Sequence, residues 1–289
     1  MITRHHVHVD KAWKTPQFRL IWLVLFLNVT AGIGVISMAS PMFQEVFGAK
    51  LVGLGALSSI DSAQKAKIVA AAAGLVGLIS LFNSVGRLLW ASLSDKLGRK
   101  NTYSVFFVLG FAVYCLLPTL GHLGLAGMFV IAICVILSMY GGGFSTVPAY
   151  LADIFGTQMV GAIHGRLLTA WSAAGIVGPV VIAAIREAQL NSGVATNLVY
   201  DRTLYLMAGL LVVGLICNLL VKPVHESVIM TPEELAAERG QAHESLGSGR
   251  AKDAARGTLG GLGVLAWLGV GIPFLIGLYV AIQKAAGLF

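Results

Sequence analysis

Seven long apolar runs, separated by shorter polar stretches, divide the chain. They lie at about 20–39, 68–93, 102–120, 123–147, 162–185, 203–221 and 259–282. A helix rises about 1.5 Å per residue, so each run is close to the ~20 residues that cross a hydrocarbon layer of about 30 Å. The runs are too long for strands and lack strict alternation, so all are read as helices. Lipid enforces that reading, because every backbone amide there needs an internal partner. The expected fold is all-α: a polytopic membrane helix bundle with about seven transmembrane helices. Pro41 is expected to close the first run. Ser94–Asn101 reads as a tight charged loop and Pro148–Gly161 as a longer one. Four regions follow: an N-terminal segment (1–19), a six-helix unit (20–221), a polar linker (222–256) and an additional C-terminal helix (257–289). Inside the linker, Thr231-Pro232-Glu233-Glu234 has the form of a helix start, a cap followed by proline at the first helical position.

Composition sharpens this picture. Of 289 residues, 57% are hydrophobic and only 11% charged, against about 25% charged in soluble domains. That excludes an ordinary cytosolic enzyme, a disordered tail and a disulfide scaffold. The net charge of +7 fits cationic loops rather than nucleic-acid binding, since no basic stripe is interleaved with aromatics. Thirteen cations fall on the side of the N-terminal segment, the 94–101 loop, Arg166 and the linker; six fall opposite. By the positive-inside rule the N-terminus is cytoplasmic, in a multi-pass protein of the inner (plasma) membrane. Cys115, Cys134 and Cys217 sit in apolar runs and read as small buried hydrophobes. His5, His6 and His8 cluster without a fourth ligand, so neither a metal nor a cofactor is expected.

One charge lies deep in a run. Arg87 precedes Asp95 by eight residues, about 12 Å of helix. All 13 acids lie in loops or at run edges, so the chain offers Arg87 no obvious intramembrane counter-ion. An unpaired guanidinium at that depth faces a cavity or a partner. An anionic substrate suits it, because guanidinium grips a carboxylate through two parallel bonds. Snorkelling to the membrane face, or pairing with another chain, are the alternatives. Only His122 and His164 approach membrane depth, both near run ends, which argues against a proton relay within this chain and leaves anion exchange. No buried catalytic dyad or metal set supports an intramembrane enzyme.

The loop Ala91-Ser92-Leu93-Ser94-Asp95-Lys96-Leu97-Gly98-Arg99-Lys100 resembles the signature of the major facilitator superfamily, Gly-x-x-x-Asp-(Arg/Lys)-x-Gly-(Arg/Lys)-(Arg/Lys), with Ala91 in place of the first glycine. Its place between a second and a third helix is where that superfamily carries it. Thr15-Pro16-Gln17-Phe18, Asn28-Val29-Thr30-Ala31-Gly32, Gly141-Gly142-Gly143-Phe144-Ser145, Asp153-Ile154-Phe155-Gly156, Leu168-Thr169-Ala170-Trp171 and Gly175-Ile176-Val177-Gly178-Pro179 narrow the likeness. Over residues 14–221 the chain resembles the C-terminal six-helix half of the oxalate/formate antiporter family. The resemblance implies half of an alternating-access exchanger of small carboxylates such as oxalate or formate, completed by a missing N-terminal half or a second subunit. Met1 then falls in what is normally the central linker.

In that fold the first, second, fourth and fifth helices of this half line the cavity. The resemblance therefore assigns Asn28, Asn83, Arg87, Tyr140 and Trp171 to substrate binding. Arg87 matches the cavity arginine of the family's oxalate exchanger, but Trp171 stands where that exchanger has a lysine. Loss of one cationic clamp favours a monocarboxylate (formate, or a small 2-oxo or hydroxy acid) over a dicarboxylate. Asp95, Lys96, Gly98, Arg99 and Lys100 form the loop motif. Asp153 and Arg166 flank the next cytoplasmic loop and are expected to latch with Arg99 or Lys96. The glycines at 32, 34, 74, 77, 141–143, 175 and 178 read first as close helix packing, with kinks at Gly141–Gly143 and Pro179 as a second role. A membrane subunit without transport activity of its own, and a half that pairs with a second copy of itself, are the competing readings.

Overall fold

The computed structural model describes residues 5–53 and 60–240, together with Thr3, Leu268 and Ile272. It divides into two units, Met1–Ile229 and Met230–Phe289. In the first, a short helix α1 (Val9–Ala12) precedes α2 (Pro16–Leu51), α3 (Ser62–Leu97), α4 (Arg99–His122), α5 (Ala126–Phe155), α6 (Val160–Leu167), α7 (Thr169–Asn191) and α8 (Asp201–Leu220). Counting α6 and α7 as one span, Val160–Asn191, six helices among the described residues are long and apolar enough to cross a membrane. The expected seventh, 259–282, lies outside the described residues but for Leu268 and Ile272. In the second unit, residues 232–240 are helical. Thr231 Oγ1 accepts the Glu234 N–H at 3.2 Å, and Thr231 N–H donates to Glu234 Oε2 at 3.0 Å.

The helices overrun the apolar runs. α2 passes through Pro41 to Leu51, and α5 passes through Pro148 to Phe155, so the expected stops at both prolines are corrected. A proline removes one N–H from the ladder, and packed neighbours tolerate that single loss in a membrane helix. The Ser94–Asn101 loop shrinks to one residue: Gly98, at φ +84°, ends α3 and starts α4. Only glycine adopts that φ without steric cost. Thr15 caps α2, accepting the Phe18 N–H at 3.2 Å, with Pro16 next in line. Asp61 and Gln64 form a reciprocal capping box on α3.

Two helices form the centre. In the most apolar window of α2 and of α5, 61% of residues are buried; in α3 and in α6–α7 the share is 22%. α3 lies chiefly on α5, and α7 on α2, while α4 and α8 pack on each other behind. The first three helices and the last three thus interlock in matching fashion, each central helix carrying the other triplet's second helix. The outlying helices touch the bundle along narrow stripes. On α3 the stripe is Ile68, Ala72, Leu75, Ile79, Gly86, Trp90 and Ser94; along α6–α7 it is Ile163, Leu167, Ala170, Ala174, Gly178 and Ile182. Their other faces carry exposed Leu81, Phe82, Leu88 and Leu89, and Trp171, Ile176 and Val180. Tyr103 and Tyr114 of α4 donate to backbone carbonyls of Gly143 and Ala31, both at 2.7 Å, hooking α4 to both central helices.

Polar ties close both ends. At one, Arg186 pairs with Glu45, and Tyr200 donates to Glu45 Oε2 at 2.6 Å. At the other, Asn218, fully buried, donates to Lys100 O at 2.8 Å and accepts from Tyr150 OH at 3.0 Å. Residues 5–14 lie across that second end as a strap. Val7 N–H donates to Phe155 O at 2.9 Å, and Val7 bridges Ile229 in antiparallel fashion.

Candidate functional site

Arg87 follows Gly86, where α3 packs closely on α5. A Cβ at Gly86 would stand 2.2 Å from the Ser138 carbonyl oxygen, so only glycine permits the approach. Gly86 faces the seam, and its neighbour Arg87 is turned out to the exposed side of α3. Ser145 Oγ donates to the Arg87 carbonyl at 2.8 Å, a second tie from α5 to this turn. The guanidinium carbon lies 5.9 Å from the Phe144 ring centroid, within cation–π range. Among the described residues no carboxylate pairs with it.

Phe144 holds an aromatic frame together. It meets Tyr140, one turn back on α5, edge to face at 5.3 Å, and Trp171 of α7 at 5.8 Å with ring planes at 90°. The Tyr140 phenol also lies near the Trp171 indole and within charge range of Arg87. Three helices therefore meet around one cation: α3 brings Arg87, α5 brings Tyr140 and Phe144, and α7 brings Trp171, which is 45% exposed. Such a site offers one guanidinium to an anion and ring faces and edges to whatever the anion carries.

Asn28 and Asn83 stand differently from the other three expected cavity residues. Asn83 sits against Gly141 in the α3–α5 seam, and Asn28 against Gly143 in the α2–α5 seam. Asn83 Oδ1 and Asn28 Nδ2 are buried without a hydrogen-bond partner among the described residues. The glycine triplet is thus a packing device: Gly141 receives Asn83, Gly142 receives the Trp90 side chain, and Gly143 receives Asn28. Phe144 was not singled out from the sequence. Its position one turn from Tyr140, directly after the glycines, is the signal that marks it.

The loop motif is spent on helix ends. Arg99 binds Asp95 and Ser94 on the preceding helix. Lys100 caps the end of α8, donating to Leu219 O at 2.9 Å and Val221 O at 2.7 Å. Lys96 is exposed on the last turn of α3, and Asp153 is half-buried on the last turn of α5. Arg166 is held by the strap: Nη2 meets Asp10 Oδ1 at 2.6 Å, Nη1 donates to Val9 O at 3.2 Å, and the guanidinium lies over Trp13. The Arg166 guanidinium holds the Asp10 carboxyl below the usual carboxylate range.

The chain matches the Major Facilitator Superfamily over residues 4–179 and again, overlapping, over 68–288, and it belongs to that superfamily. It is a multi-pass membrane protein of a transporter family, not an enzyme. It is 27% identical over 236 residues to the oxalate:formate antiporter of Oxalobacter formigenes, covering 82% of this chain and 51% of that protein. It is 28% identical over 163 residues to apicoplast pyruvate carrier 1 of Toxoplasma gondii, covering 56% of this chain and 27% of that one. The chain thus spans about half the length of the first relative and about a quarter of the second.

Proposed function

We propose that this chain, as one half of a Major Facilitator Superfamily carrier, moves small monocarboxylates by exchange through alternating access. The observation that carries the reading is Arg87, a cation on an open helix face, framed by Phe144 and without a carboxylate partner among the described residues. Arg87 takes the carboxylate through two parallel bonds. Tyr140, Phe144 and Trp171 border the rest of the substrate. With Trp171 in place of a second cation, a dicarboxylate would leave one charge unmatched, which is costly away from water. Formate or a small 2-oxo acid is therefore favoured over oxalate. The two relatives, an oxalate:formate antiporter and a pyruvate carrier, support the carboxylate class. The excess of cations on the side of residues 5–19 supports a cytoplasmic N-terminus in the inner membrane.

The test is exchange of labelled formate, pyruvate and oxalate by the chain reconstituted in vesicles. Exchange of the two monocarboxylates is expected to exceed that of oxalate. Arg87→Ala is expected to cut it about 100-fold, the scale of losing one partner of a desolvated charge pair. Undiminished exchange by Arg87→Ala would sink the proposal. A second reading, that the other half is a different six-helix unit and not a second copy of this chain in the vesicle, rests on the exposed apolar faces of α3 and α7. Under it, the purified chain is stabilised by monocarboxylates in thermal unfolding yet exchanges nothing until that half is supplied.

A further inference from the structure

Tyr140 separates two environments. In front of it stand Phe144, Trp171 and Arg87. Behind it lies the bare backbone of Gly32 on α2. A Cβ at residue 32 would stand 2.2 Å from Tyr140 Cδ2, 2.8 Å from Cγ and 3.1 Å from Cβ. The ring is seated in the space that any larger residue would fill. A small cavity adjoins the same ring, bordered by Asn28, Phe106, Tyr114 and Met139. The rear wall of the arginine site is thus one tyrosine ring, and its set-back is made by a missing side chain on another helix.

We infer that Gly32 is a specificity-determining residue: by letting Tyr140 lie back against α2, it sets the largest monocarboxylate body that the Arg87 site admits. This rests on the monocarboxylate reading above. Gly32 acts through Tyr140, as a positioning residue. Carbon–carbon contacts relax at about 3.5–4.0 Å, so an added methyl drives the ring forward by roughly 1.5 Å. The ring's neighbours away from α2 include Phe144 and Trp171, which on the proposed function border the space the substrate body occupies. One methylene of pocket size discriminates between substrates by about 10-fold or more.

The experiment compares wild type, Gly32→Ala, Tyr140→Ala and the double variant. Binding of formate, pyruvate and a branched 2-oxo acid is read by ligand-induced thermal stabilisation of the purified chain. Acrylamide quenching of Trp171, taken as the difference from a Trp171→Phe partner, is read without ligand. Gly32→Ala is expected to weaken the branched acid about 10-fold relative to formate and to change Trp171 quenching. In the Tyr140→Ala background both effects are expected to vanish, because no ring remains to be displaced. A lowered melting temperature with an unchanged ratio and unchanged quenching overturns the inference and leaves Gly32 a packing residue. If wild type binds no carboxylate while quenching still responds to Gly32→Ala, the substrate reading falls, the specificity role falls with it, and only the seating of Tyr140 stands. Should Gly32→Ala fail to fold, Tyr140→Leu opens the same wall from the other side. It is expected to favour the branched acid over formate about 10-fold, and an unchanged ratio overturns the inference.

Discussion

α3 and α6–α7 occupy matching places in the two triplets, yet they present different chemistry. Both are buried along one stripe and open on the other face. Both cross a central helix at a glycine, Gly86 on Ser138 of α5 and Gly178 on Thr30 of α2. Beside its crossing α3 places Arg87; toward the same site α7 sends Trp171 from seven residues before its own. The crossing of α3 is also the tighter, with 2.2 Å from a Gly86 Cβ to backbone against 3.2 Å at Gly178. The comparison teaches that the duplicated architecture supplies two equivalent helix faces, and the side chains put a guanidinium on one and an indole on the other. On the proposed function, a substrate with a charged head and a neutral body fits such a pair in one orientation.

Removing the guanidinium breaks the comparison most strongly. Arg87→Ala is expected to lose about 100-fold in exchange while leaving the melting temperature within a few degrees of wild type, because the side chain is exposed and forms no ion pair among the described residues. Exchange assays and thermal unfolding check the two halves of that statement. The crossings come next. Gly86→Ala presses a methyl onto helix backbone that cannot yield, and is expected to cost about 1–3 kcal/mol. Gly178→Ala should cost less, since its neighbour needs to give by only a few tenths of an ångström. Gly74→Ala, with open space around it, should be neutral or slightly stabilising by helix propensity. Melting temperatures in one detergent rank the three. Trp171→Lys would make the two faces alike. It is expected to raise binding of oxalate relative to formate about 10-fold, and an unchanged ratio would mean that Trp171 does not border the substrate.

The smallest effect concerns how each helix is tied at the strap end. α3 is tied by its own neighbour, Arg99 to Asp95, whereas α6 is tied by Asp10 of the strap. Arg166 lowers the Asp10 pKa, so the strap contact contributes above the unfolded value of about 3.9 and is lost as pH falls through the lower folded one. Protection of residues 5–14 against hydrogen exchange, taken relative to the intrinsic rate at each pH, is expected to fall slightly below pH 4, and Asp10→Asn to show the lower protection already at neutral pH. Protection independent of both would show that the strap is held by its backbone bonds alone.

The six spans, the glycine turn at residue 98 and the deep arginine were legible because each is a local property: run length, backbone freedom, and a charge where charge is expensive. The helix ends were not. Pro41 and Pro148 look like stops when each proline is read alone, and packing decides that the helices continue. The orientations of Asn28 and Asn83 were hidden for a related reason, since helix spacing alone does not say which side of a lining helix turns into a seam. Phe144 passed as one more apolar residue until its contacts with both Arg87 and Trp171 were visible. The partner of Arg166 lies 156 residues away, beyond any local pattern.

The single-residue joint at Gly98 also has a mechanical reading. α3, with 36 residues, is a rod about 54 Å long, anchored at one end by that glycine. A tilt of about 10° about the joint would sweep the distal end through about 9 Å, while Arg87, about 16 Å from the pivot, would travel about 3 Å. Leverage of this kind would move the distal end of α3 widely while the group proposed to grip the carboxylate stays nearly in place.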